Sequence, residues 1–213
     1  MPPRASLPTN SLPTNSLAAD SFWLTPLAYA HRSWVERAGL PPVTYPPVRG
    51  GGRLNGMLLA RLGLSPVRRA VAEPLAALLT VADGGTLAGL VERAGACVVN
   101  RAVRTAIGRE QRETIEAALP GAALTFINRS AVLLWPGGPL LPVSLASKSA
   151  LVQGLLANGM AVLRAVLSAE HPETVSRLLL KLPRSWSEAG DAAGAAPEAA
   201  RTLLRKLMAE GGR

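Results

Sequence analysis

The stretch from residue 147 to 169, SKSALVQGLLANGMAVLRAVLSA, constrains the fold of this 213-residue chain more than any other. Leu151, Leu155, Val162, Leu163 and Val166 recur at helical spacing, and Ser147 stands where an N-cap belongs. Gly154 and Gly159 each cost such a helix about 1 kcal/mol relative to Ala. On a helix this apolar, their presence points to close approach by a neighbouring helix. The expected fold class follows from the segments around it: mainly α, an irregular multi-helix single domain.

Upstream, Pro26 can open a helix after Thr25, with Leu27, His31, Trp34 and Ala38 on one face and Gly39 at its end. Residues 41–52, PPVTYPPVRGGG, read as a loop in which polyproline-like stiffness meets a glycine hinge. RLNGMLLARLGL at 53–64 is a one-faced helix: Leu54, Met57, Leu58 and Leu62 share a stripe, and Arg53 and Arg61 lie off it. Ser65-Pro66 opens another helix to about Ala82, with Val67, Val71, Leu75, Leu78 and Leu79 inward; Pro74 must kink it or split it.

After the turn Asp83-Gly84-Gly85, Thr86 caps a short helix with Leu87, Leu90, Val91 and Ala94 inward, closed by Gly95. Cys97-Val98-Val99 fits a short strand without requiring one. A polar helix over 109–119 buries Ile115, Ala118 and Leu119, and Pro120-Gly121 ends it. Residues 123–135, ALTFINRSAVLLW, fit either a helix or a short β-hairpin around Asn128-Arg129, because periodicity does not decide between them. His171-Pro172 breaks the long helix, Glu173 and Thr174 open the next, and SRLLLKLP ends it at Pro183. The domain plan is therefore a tail over 1–21, a helical core domain over 22–183, a Gly/Ala/Ser linker over 184–196, and an amphipathic helix over 197–213 with Leu203, Leu204, Leu207 and Met208 inward. The tail carries a tandem SLPTN repeat, too polar to bury a core.

Composition narrows the function. Hydrophobic content of 48% and charged content of 17% are those of a globular protein. The net charge of +9 is carried by 20 Arg and 3 Lys, a bias that GC-rich coding alone produces; the charge itself favours an anionic partner. Cys97 is the only cysteine, so no internal disulfide forms, which fits a reducing compartment. No secretory h-region follows the start, and the charge-free span 130–147 is interrupted by three prolines and Gly137-Gly138, so a soluble cytoplasmic protein is expected.

Chemistry is thinly supplied. Two distant histidines and one cysteine do not make a metal site, and no base, nucleophile and orienter come together, so neither an enzyme nor a cofactor is expected. Gly50-Gly51-Gly52-Arg53 lacks the rest of a phosphate-loop pattern. Glu110, Glu113 and Glu116 among Arg109 and Arg112 read as a solvated face. Arg68-Arg69, Arg101, Arg104, Arg109 and Arg112 form a basic middle third, which keeps a nucleic-acid-binding regulator as the alternative function, although no aromatics interleave them.

Four stretches in order resemble the SctK family (YscK/PscK-like), accessory proteins of the type III secretion injectisome: HRSW at 31–34, RLNGMLLARLGL at 53–64, SKSALVQGL at 147–155 and SRLLLKLP at 176–183. The resemblance implies a mostly helical, non-catalytic cytoplasmic adaptor of the sorting platform in a Gram-negative bacterium. It implies a place at the cytoplasmic face of the inner membrane, touching the ring protein SctD and connecting through SctQ to SctL and the ATPase SctN. On that reading Trp34, Arg53 and Arg61 are candidates for one partner interface, Arg177 and Lys181 of the 176–183 helix for another, and Arg68 and Arg69 for surface contact. The leucines of these stretches are expected to be core.

Overall fold

A computed structural model describes residues 21–41, 51–187 and 195–211. The SLPTN repeats, most of the 41–52 loop and residues 188–194 of the linker lie outside the described residues. Eleven α-helical segments and no strand are found among those described.

Two long helices organise the molecule. α4 (Gly84–Arg104) and α8 (Lys148–Leu167) pack along each other, and α11 (Pro197–Gly211) lies against both. Ser147 caps α8 as expected, accepting from the Ala150 N–H at 3.2 Å. Leu151, Leu155, Val162, Leu163 and Val166 are all buried. The close approach implied by Gly159 is real: a Cβ there would stand 2.1 Å from the Val91 carbonyl oxygen of α4. Gly154 instead faces Val143 of the 136–146 loop. By length and apolarity α8 could cross a membrane, yet 61% of it is buried inside the fold, the signature of a central core helix.

α4 departs from the short helix expected. Asp83, not Thr86, is its N-cap: its carboxylate accepts from the Thr86 N–H at 2.8 Å and from the Thr86 hydroxyl at 2.8 Å. Gly95 does not close it. A Cβ there would meet the Leu155 carbonyl oxygen at 2.1 Å, so this glycine permits helix packing and is not a stop signal. The helix runs on through Cys97-Val98-Val99, which are wholly buried; packing on every side overrides the β preference of the valines.

The β-hairpin is not present. α5 (Arg109–Ala118) turns by 115° at Pro120 into α6 (Gly121–Phe126), a π-helical segment Ile127–Ala131 and α7 (Val132–Leu134). Ile127 and Ala131, four residues apart, are buried while Asn128 and Arg129 between them are exposed, a helical rather than a strand pattern. Beyond Trp135 the loop is fastened by Asn158, buried in α8, whose side-chain oxygen accepts from the Leu140 and Leu141 N–H groups at 2.8 and 2.9 Å.

The opening helix is also broken. Residues 21–24 form one helical turn, Pro26–Ala28 a 3₁₀ turn, and α1 (Arg32–Arg37) starts from an N-cap at His31. Gly51 and Gly52 are not hinge residues but the first turn of α2 (Gly51–Arg61). These pieces enclose a small core of Leu27, Val35, Ala38, Leu40 and Leu58. Gly39 and Gly63, at φ of 60° and 66°, end α1 and α2 in left-handed caps.

The helix expected over 65–82 is split at Pro74, which sits at the first position of α3 (Pro74–Val81) behind its N-cap Glu73. Residues 65–73 form an irregular strap instead. Their backbone N–H groups are claimed by distant carboxylates: Glu173 accepts from Ser65 at 2.5 Å, and Glu170 accepts from Ala72 at 3.3 Å and Glu73 at 2.6 Å. Val67 and Leu78, expected inward, are each 54% exposed, because the strap is not helical and α3 packs through Leu75, Ala76 and Leu79 alone.

Candidate functional site

α9 (Pro172–Leu179) and the turn after it join the small N-terminal core to the large one. Arg177 is fully buried there. It donates to the Trp23 carbonyl at 2.9 Å and to the Ser65 carbonyl, its guanidinium carbon lies 5.0 Å from the Trp23 ring centroid, and Glu173 is 3.8 Å away. One turn on, Lys181 donates to three carbonyls at the end of α3, Leu79 at 3.0 Å, Thr80 at 2.7 Å and Ala82 at 2.6 Å, beside the Phe22 and Tyr29 rings. The Lys181 ammonium caps the carbonyl end of α3, where the helix dipole favours a cation.

This burial shifts the titrations. Desolvation pulls Lys181 down to about 8, against the opposing pull of Asp83. Desolvation pushes the Tyr29 phenol up to about 12, against the nearby Arg177 charge. At Glu173 desolvation acts upward, but the Arg69 bond, the Ser65 N–H and the charges of Arg69 and Arg177 together hold it below the usual carboxylate range.

The residues expected at partner interfaces therefore divide. Arg177 and Lys181 are interior, fastening the N-terminal segment, the strap and α3, since leucine-rich helical spacing does not reveal which cations find carbonyls inside. Trp34 is half-buried and donates from its indole to the Leu182 carbonyl at 3.0 Å, so the two candidate interfaces meet along one seam. Between Trp34, Leu62, Leu64, Leu179 and Leu180 that seam keeps a cavity of about 230 Å³. Arg53 and Arg61 are exposed; Arg61 donates to the Ala38 carbonyl. Arg68 and Arg69 are exposed on the strap, Arg69 pairing with Glu173 at 2.9 Å.

A larger feature went unread in the sequence. An open groove of about 600 Å³ runs between α4, the α5–α6 corner, α8 and the short α10 (Arg184–Ser187). It is lined by small side chains, Ala96, Ala118, Ala122 and Ala123, and by the larger Phe126, Leu155, Leu156 and Trp186. Glu92 and Arg93 are its charged edge. The lining of the groove is thus mainly apolar. The alanines that shape it come from three helices, α4, α5 and α6, so no linear motif could announce it. Among the described residues no group of three or more His, Cys, Asp or Glu could hold a metal ion. Cys97 lies wholly buried, and desolvation, with help from Glu210 and against Arg93, pushes its thiol up to about 12.

No curated protein and no solved structure matches the chain. A family model described as YOP proteins translocation protein K (YscK) matches residues 16–211, nearly its whole length. The chain belongs to the YscK family and is thus a type III secretion protein.

Proposed function

We propose that the protein is a non-catalytic cytoplasmic adaptor of an injectisome sorting platform, linking the inner-membrane ring protein SctD to the assembly of SctQ, SctL and the ATPase. The observation that carries this reading is the family match along residues 16–211. The molecule also supports it chemically. It offers two unlike kinds of surface, an apolar groove beside Trp186 and exposed arginines at Arg53, Arg68 and Arg69. An adaptor needs two such surfaces, and unlike chemistry keeps their partners from exchanging. The net charge of +9 favours acidic partners and fast encounter with them.

The test is pairwise pull-down of the full chain with the SctQ-like protein and with the cytoplasmic domain of the SctD-like protein. Retention of both is expected. Retention of neither, together with salt-sensitive retention on DNA, would instead assign the basic surface to nucleic acid.

A further inference from the structure

We propose that the outer face of α3 and the adjoining strap form the docking site for an amphipathic helix of an acidic partner protein. The inference rests on the adaptor reading and names the surface and the chemistry of one partner. α3 reads PLAALLTV and contains no charged residue. Its inner face, Leu75, Ala76 and Leu79, is buried, while Leu78 and Val81, one turn apart on the outer face, are each 54% exposed. Val67 of the strap is exposed to the same degree. Surface apolar residues scattered singly need no explanation, but an uncharged helix presenting two at helical spacing does.

The helix is also held at both ends, so the exposure is not that of a fraying segment. Glu73 caps its start, and is itself held by Arg201 at 2.9 Å and Arg205 at 3.6 Å. Glu170 accepts the Glu73 N–H, and Lys181 collects the carbonyls at the other end. A face fixed in this way binds without an ordering cost.

The charge around the face selects the occupant. The side chains of Arg69 and Arg205 are 38% and 55% exposed, whereas those of their carboxylate partners Glu173 and Glu73 are 10% and 12% exposed. In these two pairs the guanidinium groups face solvent and the acids face inward; the one exposed carboxylate of the cluster, Glu198 at 75%, is held by Arg201 at 3.2 Å. The exposed acid at the far end, Asp83, is engaged in capping α4 through Thr86. An apolar stripe bordered by carboxylates complements this surface, and a helix presents such a stripe to a short helical face. A lipid surface is the poorer fit, since α3 gives only a single exposed apolar turn.

The test is a binding titration of the full chain against the SctQ-like protein and the SctD-like cytoplasmic domain at low and moderate salt. Binding to one of them should weaken with salt and fall at least tenfold in L78E/V81E. Ile107→Glu, at a position 83% exposed on another part of the surface, should bind as the unaltered chain does. If L78E/V81E melts lower than the unaltered chain, L78A/V81A replaces it, with the same loss expected. Unchanged binding by a folded double variant overturns this docking site and leaves the adaptor reading intact. Absence of binding by the unaltered chain overturns the adaptor reading itself. Retention on phosphatidylserine vesicles that L78E/V81E abolishes assigns the face to lipid and overturns the proposal.

Discussion

Gly159 approaches Val91 so closely that a Cβ on the glycine would stand 2.1 Å from the Val91 carbonyl oxygen. The relationship is reciprocal: a Cβ on Gly95 would stand 2.1 Å from the carbonyl oxygen of Leu155. Each glycine faces the residue one turn before the other, so α4 and α8 are antiparallel and cross backbone to backbone. The large core is arranged around that crossing.

Gly159→Ala and Gly95→Ala should each destabilise the protein by about 1–3 kcal/mol, the usual cost of overpacking, because the obstacle is backbone and cannot rotate away. Gly89, also in α4, has nothing within 4 Å of a Cβ. Gly89→Ala should therefore raise stability by about 0.5–1 kcal/mol through helix propensity. Denaturant midpoints of the three variants check the opposite signs.

Lys181 makes stability depend on pH. The folded chain releases its proton at about 8, against an ordinary value of 10.5, so between those values the unfolded chain binds more protons and stability rises with pH. Cys97 and Tyr29, both held at about 12, act the other way once their unfolded counterparts ionise near 9.0 and 10.0. The Lys181 contribution thus reads cleanly from pH 8 to 9. Urea unfolding across that window should show a rising stability that Lys181→Met removes.

Arg177→Met leaves the Trp23 and Ser65 carbonyls without their buried donor, at about 1–3 kcal/mol for each. The loss should concentrate where Arg177 holds the chain. Trypsin should then cut after the exposed Arg32 and Arg37 faster in the variant, with cutting after Arg112 in the polar helix little changed.

Cys97 should be inert to a thiol reagent at pH 8 in the native protein, because its thiol is buried and stays protonated. Denaturant should release one reactive thiol per chain, and the slow native reaction should follow the rate of opening. Rapid native labelling would contradict the placement of α4.

The sequence was most legible where burial on one side wrote a helical period. Ser147, Leu151, Leu155 and Val166 marked α8, and Leu203, Leu204 and Leu207 marked α11, because each lies on a continuous helix with one dominant partner face. Legibility failed where one signal serves two physical purposes. A glycine reads as a stop at Gly39, where φ is positive, and reads the same at Gly95, where it admits another backbone. Valines read as strand at 98–99, yet burial on all sides kept them helical. Arg177 and Lys181 looked like surface cations because their acceptors, carbonyls near residues 23, 65 and 80, are set by tertiary structure. The groove was invisible for the same reason, since Ala96, Ala118 and Ala123 mean nothing until three helices meet.

The adaptor account is tested most directly by asking whether this protein bridges two others. The SctD-like cytoplasmic domain and the SctQ-like protein, mixed and resolved by size-exclusion chromatography with light scattering, should remain apart without the chain and co-elute as one ternary complex with it. A ternary complex that forms only when the chain is present is the predicted result; no association of the chain with either protein would contradict the account.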